Sequence, residues 1–411
     1  MPAPTGKPKV VFLCQRVPWP PDRGDRITTW HFLQHLLARG ADVFLGCFQE
    51  EARDAEGVAL LARRCREVVA PNLDRSVRKF TSLRGLLTGE ALTLPFFRDA
   101  ALYAAVRRWS SPQPPDLVYV YSSSMAQYVL GTEARSKLMQ FAELDSDKWR
   151  QYAAQRRGLS RWGLGRWIYA READKLLAFE DRVARTFTRS LVVSEVEREL
   201  FRQRIPGVEP DVLSNGVDVA HFTSTGDQNR HAHTAVFTGV MDYEPNVDGV
   251  SWFVEQCWPT LRQRFPDARL LVVGSNPAPK VRALARVSGV EVTGRVPSTV
   301  PWFDQAAVVI APLRLARGVQ NKVLEAMSMA LPVVSSSAAA RGLGAVPPGH
   351  IVIADDAPAT IAAVAELFAD PARARAIGTR AATWVREHWR WERMYERLDA
   401  LLAEMGVPLP A

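Results

Sequence analysis

The stretch from Ala311 to Ser337, APLRLARGVQNKVLEAMSMALPVVSSS, constrains the chain more than any other. An apolar strand ends at Pro312, a polar loop runs through Gly318, and a short helix is expected from Gln320 to Met329. A second apolar strand, Leu331 to Val334, closes a βαβ unit. A glycine-bearing loop that leads into a helix leaves backbone N–H groups unpaired at an end carrying partial positive charge, which suits a phosphate. Arg317 and Lys322 bring full charges to the same place. Glu325 follows Lys322 by one turn on the same face, where a carboxylate can accept hydrogen bonds from hydroxyls. Cations and N–H donors for a diphosphate, beside a carboxylate for a sugar, describe a nucleotide-sugar pocket. The same residues also fit a structural reading, in which Val323, Leu324 and Met327 face a core and Lys322–Glu325 is a surface pair.

The whole chain is long enough for two or three domains: 411 residues, of which 47% are hydrophobic. No apolar run reaches the ~20 residues of a membrane span, and MPAPTGKPK does not read as a signal peptide. The cysteines (Cys14, Cys47, Cys65 and Cys257) are scattered without a C-x-x-C pair, as expected of reduced, buried thiols in a cytoplasmic protein. A formal charge of +8 suits an anionic partner such as a nucleotide diphosphate, a membrane surface or nucleic acid.

Taken in order, Lys9–Cys14 reads as a buried strand, followed by the loop QRVPWPPDRGDR, a helix from about Ile27 to Ala38 and a strand from Ala41 to Phe48. This is the opening of a doubly wound sheet, and ligands of such sheets sit beyond the carboxyl ends of the strands. Asp22, Arg23, Gly24 and Asp25 are therefore candidate site residues. The loop lacks G-x-G-x-x-G, which argues against a dinucleotide cofactor. Val68–Ala70, Leu117–Tyr121 and Met139–Leu144 continue the sheet. The last two run into Ser122–Ser124 and Asp145–Lys148, small polar groups that suit either a site rim or helix caps.

Residues 148–171 carry seven basic and no acidic residues, with three tryptophans and two tyrosines. That mixture suits a membrane surface, and its ingredients also suit nucleic acid. A long helix, a strand at Leu191–Ser194, a helix opened by Glu195 and the segment Asp211–Asp218 complete the first domain. The polar stretch Thr223–Thr234 reads as a linker. Strands at Ala235–Val240, Leu270–Gly274, Val290–Thr293, Ala307–Ala311 and Leu331–Val334 then form a second sheet, with an amphipathic helix expected over Val247–Phe265. The expected division is 1–222, 235–388, and a C-terminal helix over 389–411 returning toward the first domain, with a cleft between two Rossmann-like halves.

The ordered set NGVD (215–218), TGVMDYEPN (238–246), LLVVG (270–274), VTGRV (292–296) and GVQNKVLEAM…PVV resembles the retaining glycosyltransferases of family 4, which have the GT-B fold. PWPPDRGDR, ELDSDKWRQYA and APLRLARGVQNKVLEAM resemble, more narrowly, the sugar transferases associated with exosortase (PEP-CTERM) and exopolysaccharide loci. The resemblance implies transfer of a sugar from a nucleotide-diphosphate donor to a glycan or lipid-linked acceptor with retention. It implies no cofactor, no metal and no nucleic acid, and a cytoplasmic enzyme at the inner face of the plasma membrane. It gives Glu325 the donor ribose hydroxyls, and it gives Lys322 with Gly318, Val319, Gln320 and Asn321 the diphosphate. It places Arg295 and Val296 beside the base, Gly239 close to the donor, and Gly24 and Asp25 at the border of donor phosphate and acceptor. Asp145 is a further candidate for orienting the acceptor hydroxyl.

The sequence departs from the family pattern in two places. Arg317 stands where the first glutamate of the Glu-(seven residues)-Glu motif belongs, and GVMDYEPNVDG lacks the usual basic pair. One account links the two: Arg317 replaces a diphosphate cation missing from the other loop. Retention in this family is attributed to front-face attack assisted by the leaving phosphate, so no covalent nucleophile is assigned. His31 and His35 share a helix face, and His231 and His233 sit in the linker. Neither pair has a third ligand nearby, and structural roles are expected. The alternatives are a nucleotide-sugar 2-epimerase, which would need no acceptor, an NAD-linked oxidoreductase, for which neither domain has a glycine-rich fingerprint, and a non-catalytic membrane- or nucleic-acid-binding module resting on 148–171.

Overall fold

The computed structural model describes residues 7–155, 164–224, 230–316 and 318–410. It divides into two compact units, one built from the chain up to Leu213 together with the segment from Tyr395 onward, the other from Ser214 to Met394.

The first unit is built on strands β1 (Lys9–Arg16), β2 (Asp42–Phe48), β3 (Glu67–Val69), β4 (Leu117–Tyr121), β5 (Ser136–Ala142), β6 (Arg189–Val192) and β7 (Asp211–Val212). They form one sheet in the order β3-β2-β1-β4-β5-β6-β7, with every pairing parallel. Continuous apolar runs such as KVVFLC and LVYVY belong in such a sheet, because helices cover both of its faces. Val10 to Leu13 are inaccessible to solvent, and Phe12 stacks on Tyr119 with ring centroids 4.6 Å apart.

The second unit repeats the plan with β8 (Thr234–Thr238), β9 (Arg269–Val273), β10 (Val290–Gly294), β11 (Val308–Ala311), β12 (Val333–Ser335) and β13 (Val352–Ile353). The order is β10-β9-β8-β11-β12-β13, again parallel throughout. In each sheet the chain leaves the first strand in one direction and later returns on its other side. The reversal falls between β1 and β4 in one unit and between β8 and β11 in the other, and loops at such a point diverge to leave a crevice.

The structure corrects several sequence expectations. The helix expected over Val247–Phe265 is two helices, Glu244–Gln256 and Trp258–Arg264. Pro259 lies in the first turn of the second, and a proline there cannot donate to the preceding turn, so the helix breaks at Cys257. The first helix begins at Gly24 rather than Ile27, with Asp25 in its first turn. Strand β5 stops at Ala142, whose φ of 61° turns the chain away, and Asp145 opens a helix instead of extending the strand's end.

Residues 214–222 lie with the second unit, ahead of the polar stretch read as the linker. Phe222 packs against that unit's core and its carbonyl accepts from Ser328 Oγ at 2.8 Å, which ties the segment down. The NGVD turn is held by Trp391: a Cβ on Gly216 would lie 2.7 Å from the Trp391 Cα. The last helix, Trp391–Glu404, ends in the first unit, where Leu398 and Leu402 are fully buried and Ser136 Oγ donates to the Met405 carbonyl.

Candidate functional site

At the carboxyl edge of the second sheet, β8 and β9 run straight into Gly239 and Gly274, and β10 ends on Gly294. Gly239 N–H donates to the Val273 carbonyl, and Gly274 N–H to that of Gly294. The backbones meet so closely that a Cβ on Gly274 would lie 1.7 Å from the Gly239 carbonyl oxygen. On its other side Gly239 faces polar groups. A Cβ there would come within 2.7 Å of Asn246 Nδ2 and 3.0 Å of Lys322 Nζ. The missing side chain thus leaves room beside Lys322 at the β8/β11 reversal.

Lys322 belongs to the helix Asn321–Ser328, which follows β11 through the loop from Pro312. Its ammonium donates to Asn246 Oδ1 at 2.6 Å and stands 4.5 Å from the centroid of the Phe237 ring. Its remaining donors have no partner among the described residues. Burial pushes its pKa down to about 7, with Glu325 pulling the other way. Burial pushes the Glu325 carboxyl up to about 7, opposed by Lys322. The two groups do not form an ion pair, so each stays available to a ligand that supplies the opposite charge or a hydroxyl. Gln320, at the N-cap, makes no side-chain capping bond, so the helix terminus keeps its outward N–H groups for another acceptor.

The loop ahead of this helix is held from two sides. Arg314 pairs with Asp248 of the Glu244–Gln256 helix, its Nε lying 2.9 Å from Oδ2. Ser336 Oγ donates to the Leu313 carbonyl at 2.6 Å. Gly318 has a φ of 57°, a left-handed conformation that side chains disfavour. Its carbonyl lies against Gly342, where a Cβ would sit 1.8 Å away. Val319 packs partly on the core, and Asn321 Oδ1 accepts from Asn215 Nδ2 at 3.4 Å. Arg317 lies outside the described residues.

The structure therefore brings Gly239, Lys322 and, through its loop, Gly318 to Asn321 to one strand reversal. Arg295 and Val296 follow β10, two strands from β8. Arg295 is exposed and Val296 packs against the core. Sequence reasoning passed over Asn246 and Phe237. The signal for Asn246 was its place at the opening of the helix after β8, in the stretch already noted for lacking cations.

The first unit has polar groups at its own reversal. Asp25 accepts from Arg16 Nη1 at 2.6 Å and from Arg23 Nε at 2.8 Å. Burial alone would raise the Asp25 carboxyl, but Arg16 and then Arg23 outweigh it and hold it below the ordinary carboxylate range. Gly24 opens the helix Gly24–Ala38, and a Cβ there would meet nothing within 4 Å. Asp145 accepts from Ser122 Oγ and Ser123 Oγ, each at 3.4 Å. Beneath it, Glu180 is fully buried and accepts from Ser146. Its pKa rises to about 8, chiefly by burial and then by Asp145.

His31 bonds Tyr395 Oη at 2.8 Å and His35 bonds Asp399 at 2.7 Å, contacts that seat the C-terminal segment on the first unit. His233 bonds Asp267. No group of three or more metal-ligating side chains is present among the described residues. In the 148–171 stretch, Trp149 packs near Leu176 and its ring lies 5.3 Å from that of Tyr169, while Trp167 is exposed. Residues 156–163 of that stretch lie outside the described residues.

Two Rossmann-like units, each built on a wholly parallel sheet, are the architecture of the GT-B class of fold. Residues 232–370, which lie within the second unit, match the family model described as Glycosyl transferases group 1. A curated relative, the GDP-mannose-dependent alpha-(1-6)-phosphatidylinositol monomannoside mannosyltransferase of Mycolicibacterium smegmatis, is 32% identical over 162 residues. That alignment takes in 35% of this chain and 42% of the relative, so the chain spans less than half the length of the curated protein it matches. Among solved structures, sucrose-phosphate synthase from Thermosynechococcus elongatus superposes with a TM-score of 0.72 at 17% identity, covering 97% of this chain and 99% of that one. Anabaena HepE, solved with UDP and glucose, gives 0.63 at 14% identity, covering 97% and 100%. At these identities the likeness is one of fold.

Proposed function

We propose that the protein is a retaining glycosyltransferase that moves a hexosyl group from a nucleotide-diphosphate donor to a glycan or lipid-linked acceptor. The observation that carries this reading is Lys322, partly buried against Phe237 and Asn246 at the uncapped end of the Asn321–Ser328 helix, with Glu325 one turn on. When the sugar leaves, negative charge grows on the β-phosphate. A pre-positioned ammonium and helix N–H groups stabilise it without reorganising. Glu325 is assigned to donor hydroxyls, and Gly239 leaves space for the diphosphate beside Lys322. Arg295 and Val296 are assigned to the base. Gly24, Asp25 and Asp145 are assigned to the acceptor side, and Arg317 to the diphosphate. The reading uses the nucleotide sugar as co-substrate and calls on no metal, no other cofactor and no covalent enzyme intermediate.

The named relatives support a nucleotide-sugar donor: one is described as GDP-mannose-dependent, another was solved with UDP. The resemblance to exosortase-associated transferases points to exopolysaccharide or other cell-surface glycan synthesis. With it go a cytoplasmic location and a peripheral position on the inner face of the plasma membrane, with residues 148–171 as one candidate contact. No helix among the described residues is long and apolar enough to cross a membrane.

The test is calorimetric titration with a panel of UDP-, GDP- and ADP-sugars, repeated on Glu325→Ala. Selective binding of one donor, weakened by the substitution, is the expected result. In turnover, Lys322→Ala and Glu325→Ala should each cost ~10²-fold or more. Near-normal rates in either would remove that residue from the mechanism, and product formed without acceptor would favour an epimerase.

A further inference from the structure

The helices Arg75–Ser82 and Arg84–Thr88 of the first unit are arranged inside out. They bury Ser82 and Gly85 and turn their large apolar side chains to solvent. Phe80 is 76% exposed and Leu87 91%, and Val77, Leu83 and Leu86 are exposed beside them. A helix stabilised only by its own domain does the reverse, so this face is shaped for something outside the unit. The inversion is held in place. Arg171 donates to the carbonyls of Gly85 and Glu90, and a Cβ on Gly85 would lie 3.2 Å from Leu92.

Charge says what that something is. Residues 75–89, RSVRKFTSLRGLLTG, hold four cations and no carboxylate. Arg75 and Arg78 pair with Glu50 and Asp99 and so anchor the first helix. Lys79 and Arg84 are exposed and have no ion-pair partner among the described residues. A cavity of about 530 Å³ opens at the same edge, lined by Val77, Arg78, Arg84 and Arg98 among others. The acidic groups on its wall are already engaged: Asp74 caps the Arg75–Ser82 helix, and Glu90 pairs with Arg98 at 2.5 Å. Apolar side chains that can enter the acyl boundary, ringed by cations at headgroup level, match a bilayer bearing anionic phospholipid.

We propose that the 75–88 surface docks this protein on an anionic phospholipid bilayer. Phe80, Leu83 and Leu87 enter the interface, Lys79 meets lipid phosphates from the exposed helix face, and Arg84 does so at the mouth of the cavity. The side chains that meet the bilayer lie outside residues 148–171, of which Arg171 only braces the Gly85–Glu90 backbone, and the proposal stands whether or not the donor assignment does.

The test is co-sedimentation of the full chain with vesicles of phosphatidylcholine alone and of phosphatidylcholine with phosphatidylglycerol. The variants are Phe80→Asp/Leu87→Asp, Lys79→Glu/Arg84→Glu, and Trp167→Ala. Binding should need phosphatidylglycerol, fall with salt, and drop at least tenfold in each of the first two variants while Trp167→Ala binds as wild type. Both double variants alter exposed side chains, so their unfolding temperatures should match wild type and their donor titrations without vesicles should be unchanged. No binding to anionic vesicles, or equal binding by wild type and the Phe80→Asp/Leu87→Asp variant, overturns the proposal. So does a wild-type dimer in sedimentation that this variant dissolves, which would assign the face to a second copy of the chain. Loss in Trp167→Ala alone would move the contact to 148–171.

Discussion

Lys322 and Glu325 sit in surroundings that work against their own charge. In the folded chain Lys322 has a pKa near 7 against an ordinary 10.5, so between those values the unfolded chain binds more protons and stability rises with pH. Glu325 is raised from 4.5 to about 7, so across that interval the folded chain binds more protons and stability falls as pH rises. The pair's contribution to stability is therefore lowest near pH 7. The difference in urea-unfolding free energy between wild type and Lys322→Met/Glu325→Gln, measured from pH 5 to 9, should have its minimum there. A flat difference would mean that the two groups are not desolvated as described. On the proposed function, a bound diphosphate would bring the counter-charge that favours the protonated Lys322 ammonium and would offset its desolvation. Lys322 and Glu325 were legible in the sequence, as a cation and a carboxylate one helical turn apart. Asn246, 76 residues upstream in the first turn of another helix, was not, because only the parallel pairing of β8 with β11 brings it to hydrogen-bonding distance.

The element that matters most is the loop Pro312–Gln320 with its following helix. Its position rests on close backbone contact as well as on the Arg314–Asp248 and Ser336–Leu313 bonds. Gly342 touches Gly318, and a methyl group at Gly342 would have to move the Gly318–Val319 backbone. Gly342→Ala should cost about 1–3 kcal/mol of stability, as overpacking does. It should also weaken donor binding at least tenfold, because the displaced segment leads directly into the helix terminus. Calorimetry beside urea unfolding separates the two effects. Unchanged affinity in a destabilised variant would take this loop out of the donor site. Elements whose patterns were strong in the sequence, such as β1, β4 and β8, fall within a residue or two of their expected positions. The Val247–Phe265 helix was misread because its hydrophobic period continues across the break, and Pro259 counts against continuity only once its place in the first turn is known.

On the scale of the molecule, the C-terminal segment is part of the first unit's structure. Leu402 is fully inaccessible there, and Tyr395 and Asp399 bond His31 and His35. Leu402→Ala should cost about 2–5 kcal/mol, the range for truncating a buried leucine. The loss should appear in the unfolding of the first unit, while donor titration at low temperature stays as in wild type. A loss of donor binding without a loss of stability would contradict that division of labour. The sequence by itself determined the class of fold, because buried apolar strands alternating with helices satisfy their backbones in few ways other than parallel, doubly covered sheets. It also determined the chemistry available near Lys322, since residue type and helical spacing are local properties. Only the tertiary structure decided which distant groups meet, from Asn246 and Phe237 at Lys322 to Trp391 at Gly216. It alone showed that the 75–88 helices turn their apolar side chains outward. Those facts depend on strand order and on which side of each helix finds a neighbour, and no single segment carries that information.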